Sequence, residues 1–199
     1  MKKVVRGDLL ELAEYEQIRP HFRARVIEEK KRRRFQPSPE LSVLFENTDT
    51  VLFQIQEMLR TERITAESGI AHEIETYNEL VPADDELSLT MFVEIPDRET
   101  RDRRLIELAG LENAVALECA SQVFPARSET RGVLQGSTTA VHYMKIPLGE
   151  AGVATVARAV NDPAIPLYFL VRHPALAVRA PLPASLVQSL RGDLAVGRG

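Results

Sequence analysis

The side chains best equipped for chemistry in this sequence lie in one stretch, ELSVLFENTDTVLFQIQEMLRTER, from Glu40 to Arg63. It holds Glu46, Asn47, Asp49, Gln54, Gln56, Glu57 and Arg60. A carboxylate needs only burial or a charged neighbour to acquire a useful pKa, so Glu46, Glu57 and Arg60 are the candidates for catalysis. Asn47, Asp49, Gln54 and Gln56 are the candidates for binding a small anion, a metal or a partner. A second concentration is cationic: between Arg19 and Arg34 there are eight basic residues against Glu28 and Glu29, in a chain whose net charge is -4. Arg23, Lys30, Lys31, Arg32, Arg33 and Arg34 can complement the carbonyl end of a helix and stay solvated. Alternatively they form an anion-binding patch, because adjacent like charges gain from a counter-charge. A weaker constellation joins Glu57 to His72 and Glu75 as metal ligands. A carboxylate-bridged helical site wants a Glu-x-x-His pair on each of two helices, whereas this chain offers one pair in reverse order. Solvated polar face is the plain reading of His72.

These residues need elements to hold them. Leu41, Val43 and Phe45 alternate with Ser42, Leu44 and Glu46, which predicts a short, mostly buried strand. Asn47, Thr48 and Asp49 supply a cap for the helix that follows. In that helix Val51, Leu52, Ile55, Met58 and Leu59 share a face. Phe53 stands on the polar side, so the helix is expected to meet something on both faces. Upstream, Asp8 is expected to cap a first helix, and Pro20 to end it and start a second running to Arg34. Pro37 and Pro39 then close the segment. Downstream the pattern predicts a helix over 66–81, a strand over 87–95, a helix ending at Gly110, a strand over 114–119, a polar loop over 124–138 and a strand over 140–148. A short helix over 149–160, a hairpin about His173-Pro174 and a last helix after Pro181-Leu182-Pro183 complete the order. Because strands neither alternate strictly with helices nor run uninterrupted, the class is α+β: a single domain with a mixed or largely antiparallel sheet packed with several helices and a helical N-terminal region. Its parts are a basic helical segment over 1–36, the core over 37–194 and a frayed tail over 195–199.

Composition excludes several classes. Cys119 is the one cysteine of 199 residues, so a disulfide within the chain and a cysteine-rich metal cluster are both ruled out, and a buried apolar role is expected for it. No run approaches the length of a membrane helix and the N-terminus lacks the apolar core of a signal peptide, which gives a cytoplasmic expectation. The chain has no dinucleotide or phosphate-binding glycine loop, HExxH, GxSxG or CxxC. No cofactor is expected.

The runs RPHFRARVIEEKKRRR, LSVLFENTDTVLFQIQEMLRTERI and IETYNELVP, with the late His-Pro hairpin and the PLP before the final helix, resemble a bacterial family known only as a domain of unknown function. The resemblance spans nearly the whole chain. It implies no catalytic or ligand residues. It does imply a context: genes of that family often stand beside those of rubrerythrin-like proteins and an iron-sulfur oxidoreductase. Three functions follow, in order of preference. The first is a non-catalytic accessory protein of a redox or oxidative-stress system, docking through the basic helix and the polar strand-turn-helix, with no lean towards catalysis. The second is an enzyme or a small-anion or metal-binding protein with its site at residues 46–60. Nucleic-acid binding through residues 19–34 comes last, since the arginines lack interleaved aromatics and the rest of the chain is acidic.

Overall fold

The computed structural model describes residues 1–128 and 136–194. Its strands form two antiparallel sheets, and helices cover one of them. The first sheet has the order β1-β2-β3-β7-β6, with β1 at Arg34–Ser38, β2 at Leu41–Phe45, β3 at Glu86–Val93, β6 at Arg127–Ser128 and β7 at Val141–Pro147. The second has the order β5-β4-β8-β9, from Gln122–Pro125, Val115–Cys119, Leu167–His173 and Leu176–Pro181 respectively. The helices are α1 (Leu12–Arg33), α2 (Thr48–Thr61), α3 (Glu67–Asn78), α4 (Arg98–Glu107), α5 (Gly149–Ala159) and α6 (Ala184–Asp193). This is the α+β class, with two antiparallel sheets rather than one. No helix among the described residues is long and apolar enough to cross a membrane.

Alternation explains the main core. Val43, Phe45, Leu89 and Met91 project from one face of the first sheet, and Leu117, Phe169 and Val171 from the second, into one apolar cluster. Leu186 and Leu190 of α6 and Val156 of α5 join it. A smaller cluster sits among the helices, where Val51, Ile55 and Leu59 of α2 meet Ile70 of α3 and Val4 and Leu9 of the N-terminal segment. Two side-chain amides tie that segment down by imitating strand pairing. Asn78 bonds both the N–H and the carbonyl of Val4 at 2.8 Å, and Gln56 does the same to Leu10 at 3.0 Å.

Three expectations need correction. Helix α1 is continuous through Pro20, and Glu11 rather than Asp8 precedes it; Asp8 instead ends a short 3-10 turn over Arg6–Asp8. Proline removes one helical hydrogen bond, but Pro20 is solvent-exposed, so water can serve the carbonyl it frees. The segment with Pro37 is an edge strand, where a missing N–H is tolerated, and its register shifts between Phe35 and Ser38. The expected loop over 124–138 begins instead with the end of β5 and with β6. Residues 129–135 of that loop, like the tail over 195–199, lie outside the described residues. Cys119 is buried as expected, and burial pushes its thiol pKa up.

The tightest tie in the fold is Arg33, the last residue of α1, at 1% exposure. Its Nε donates to the Phe45 carbonyl at 2.9 Å and its Nη2 to the Glu46 carbonyl at 3.3 Å, at the end of β2. Both terminal nitrogens also reach the Asp193 carboxylate at the end of α6. Removing one partner of such a pair strands the other charge in the interior, at a cost of about 3–5 kcal/mol. We therefore expect Arg33→Met to lose stability on that scale in urea unfolding. The double variant Arg33→Met/Asp193→Leu should recover much of the loss, whereas equal losses in the two variants would show that Arg33 does not act through Asp193.

Candidate functional site

The site grows from the end of β2. Pairing places Glu46 on the face of the first sheet turned away from the main core, and α2 lies over that face. Asn47 starts the helix by reciprocal capping: its side chain accepts from the Thr50 N–H at 2.9 Å while Thr50 Oγ1 accepts from the Asn47 N–H at 3.0 Å. One turn of helix then brings Thr50 and Gln54 over Glu46. Thr50 Oγ1 donates to its Oε2, Thr90 Oγ1 of β3 donates to its Oε1 at 2.6 Å, and Gln54 Nε2 approaches Oε1 at 3.4 Å. Glu46 is 1% exposed, and no cation among the described residues pairs with it. Its direct hydrogen bonds come from neutral donors, while the Lys30 ammonium acts on it only through space and the Arg33 guanidinium reaches its main-chain carbonyl, and burying a carboxylate without a direct ion pair is costly.

Beside Glu46 a cleft of about 340 Å³ opens to solvent. Phe53, Tyr77, Phe92 and Tyr143 give it aromatic walls, and Gln54 and Thr90 form the part of its lining that touches Glu46. Glu57 and Glu62 stand among the remaining lining residues. Two cations, one at the end of α1 and one at the start of β1, stack on these rings without lining the cleft: the Lys30 ammonium lies 5.4 Å from the Phe53 centroid and the Arg34 guanidinium 4.8 Å from that of Phe92. Burial lowers the Lys30 pKa, and the charge on Glu46 opposes that shift. Phe53 does meet a second partner, as its place on the polar face of α2 predicts: its ring packs 6.0 Å from that of Phe22 in α1.

The sequence-predicted residues separate. Glu46, Gln54 and Glu57 come together at the cleft. Asn47 caps α2 and donates to Glu29, Asp49 is exposed 3.9 Å from Arg25, and Gln56 is occupied with the Leu10 backbone. Glu57 is held by Arg19 at 2.8 Å and by the Tyr15 hydroxyl at 2.6 Å, and Arg60 by Glu16 at 2.7 Å. Arg23 is exposed. Lys31 and Arg32 are exposed but matched to Glu28 and Glu29 one turn back. Arg33 belongs to the interior, and Arg34 is also 4.0 Å from Glu94. His72 and Glu75 are exposed on α3, and no group of three metal-capable side chains forms among the described residues. Sequence reasoning missed Thr50, Thr90, Phe92 and Tyr143. The alternation of β3 and β7 puts Thr90, Phe92 and Tyr143 on one face, but only the pairing of Thr90 with Tyr143 and of Leu44 with Thr90 brings that face under α2.

A larger groove of about 1030 Å³ runs past the N-termini of α2 and α5. Its polar walls are chiefly the exposed carboxylates Asp49, Asp84, Asp85 and Glu150, and the buried one, Asp193, is spent on Arg33.

Fold and cleft together define a two-sheet α+β domain with a helix-covered polar sheet face. The chain belongs to the family DUF3501, described as a protein of unknown function, whose model matches residues 3–194. A crystal structure of a novel protein of unknown function from Burkholderia pseudomallei is similar throughout, with 32% identity, a TM-score of 0.88, and coverage of 97% of this chain and 100% of that one. No curated protein matches.

The Glu57 carboxyl is held below its usual range, chiefly by the Arg19 hydrogen bonds and further by that from Tyr15, against the opposing effect of burial. A depressed folded pKa adds stability above the unfolded value of about 4.3, and that stability is lost as pH falls through the folded value. We expect Glu57→Gln to melt below the wild type at pH 7 and the gap to close on acidification towards pH 3. A gap independent of pH would mean that the Glu57 charge is not what matters.

Proposed function

We propose that this protein binds a small molecule in the aromatic cleft above Glu46. One observation carries the reading: a carboxylate with 1% exposure and no paired cation among the described residues stands directly behind the wall of an open cleft. Small-molecule sites combine an apolar, aromatic lining with a few fixed polar groups, and volumes of about 300 Å³ upward are usual. The alternative of a site at residues 46–60 thus takes precedence over the accessory reading.

Tyrosine reports on occupancy, because the chain has four and two of them, Tyr77 and Tyr143, line the cleft. In protein labelled with 3-fluorotyrosine, phenyl-bodied probes (benzylamine, benzyl alcohol and benzoate) are expected to shift the fluorine signals of Tyr77 and Tyr143 and leave that of Tyr168 in place. Phe92→Ala should weaken any such binding by about tenfold, the scale of one lost aromatic contact. Shifts spread over all four tyrosines, or none at all, would refute the cleft as a binding site.

A second reading keeps the accessory role. Only Tyr15, Val26 and Arg33 are buried in the 22 residues of α1, which leaves Arg23, Arg25, Lys31 and Arg32 facing solvent. Such a surface suits an acidic partner protein; a rubrerythrin-like or iron-sulfur oxidoreductase protein is the class the resemblance names. Contacts between exposed charges are screened by salt. The tagged protein should therefore retain an acidic partner from its host at low salt, and lose it in about 0.5 M salt or in the triple variant Arg23→Glu/Lys31→Glu/Arg32→Glu. Retention through both treatments would rule out electrostatic docking on α1.

A further inference from the structure

The hydrogen-bond inventory of the cleft narrows its guest, on the footing that the cleft is a binding site. A carboxylate can only accept, so Glu46 obliges each neighbour to donate to it. Thr90 spends its one proton on Oε1 and faces the cleft with acceptor capacity alone. Gln54 turns its amide nitrogen to the same oxygen, which leaves its carbonyl oxygen and its second N–H for the cleft. Glu57 and Glu62 add carboxylates to the lining, and no lysine, arginine or histidine among the described residues lines it. The phenols of Tyr77 and Tyr143 can donate or accept. The nearby cations do not line the cleft but are engaged on groups of its wall: Lys30 on the Phe53 ring, Arg34 on the Phe92 ring, and Arg19 on Glu57.

A lining in which Thr90 can only accept, two carboxylates add further acceptors and ring faces form the walls suits a donor with positive charge and an apolar body. We propose that the guest is a protonated organic amine or guanidinium carried on an aromatic or aliphatic group, its N–H groups directed to Thr90 and Gln54 and its body against Phe53, Phe92 and Tyr143. Glu46 acts through Thr90 and Gln54, as a positioning residue that fixes their polarity.

Isothermal titration of the full chain with four probes of one shape tests this: benzylammonium, benzyltrimethylammonium, benzyl alcohol and benzoate. Benzylammonium is expected to bind at least tenfold more tightly than the alcohol or benzoate. It should also exceed the trimethyl analogue, which keeps the charge and loses the N–H donors. Glu46→Gln removes the charge and gives the group N–H donors of its own, so Thr90 and Gln54 are no longer obliged to donate inward, and the preference for benzylammonium over benzyl alcohol should fall while the affinity for the alcohol holds. If the alcohol or benzoate binds as tightly as benzylammonium, the guest class is wrong and the cleft reading survives. Equal binding of the trimethyl analogue would likewise overturn the N–H contacts. If none of the four binds or moves Tyr77 and Tyr143, both readings fall. A preference that persists in Glu46→Gln would remove Glu46 from the explanation.

Discussion

The buried Arg33 guanidinium is the constraint on which the rest of this structure depends. It takes up the two carbonyls at the end of β2 and the carboxylate at the end of α6, so three elements distant in sequence meet at one planar group. Arginine suits such a place because its fork of donors can satisfy several acceptors at fixed angles, which a lysine cannot. The cost falls on Asp193. Its burial pushes its pKa up, and the charge on Arg33 opposes that shift. The end of α1 is thereby fixed beside Glu46, and Lys30 and Arg34 are fixed over the rings of Phe53 and Phe92.

The second constraint is a sheet face that is polar and nevertheless covered. An antiparallel sheet commonly turns one face to the core and the other to water. Here Ser42, Glu46, Ser88, Thr90 and Lys145 all lie on the face away from the main core, and each is less than a tenth exposed. Lys145 finds the Val81 carbonyl at 2.8 Å and Glu86 at 2.7 Å, and Glu46 finds its threonines. The hydroxyls of Ser42 and Ser88 have no hydrogen-bond partner among the described residues. A layer of this kind specifies how α2 must sit, because Thr50 and Gln54 satisfy Glu46 only from one position. An apolar layer would accept many. The polar groups contribute little net stability and much definition of geometry, which is where a binding site needs it.

Much of this was legible in the chain. The alternation of β2 and β3, a cap within Asn47-Thr48-Asp49, the buried stripe of α2 and the hairpin about His173 all follow from local patterns, and the structure assigns the cap to Asn47. The β4–β5 hairpin was not legible, for a physical reason. Its two turn residues are Ala120 and Ser121, both at positive φ (48° and 66°), a conformation that ordinarily calls for Asn-Gly. Neither residue signals a turn, and the strain is borne because pairing of Cys119 with Gln122 and of β4 with β8 fixes the strands on either side. Helix α1 was misread for the opposite reason. Pro20 is a strong local signal, and its exposed place on a helix anchored at its far end by Arg33 overrides it.

The basic run shows why a candidate site was only half visible. In sequence, Lys30 to Arg34 is one block of charge. Helical geometry divides it, because positions three and four apart share a face while adjacent positions diverge. Lys30 turns to a ring and Arg33 to the interior, Lys31 and Arg32 are left facing solvent, and Arg34, already in β1, is exposed with its guanidinium over another ring. A pattern of charge alone cannot distinguish a cation that stacks on an aromatic wall from one that meets a partner. That distinction depends on Phe53, which α2 carries to Lys30 once it is seated on Glu46, and on Phe92, which the β1-β2-β3 order sets beside Arg34. The same carboxylate therefore bears both on the polarity of the cleft and on the ring that Lys30 meets.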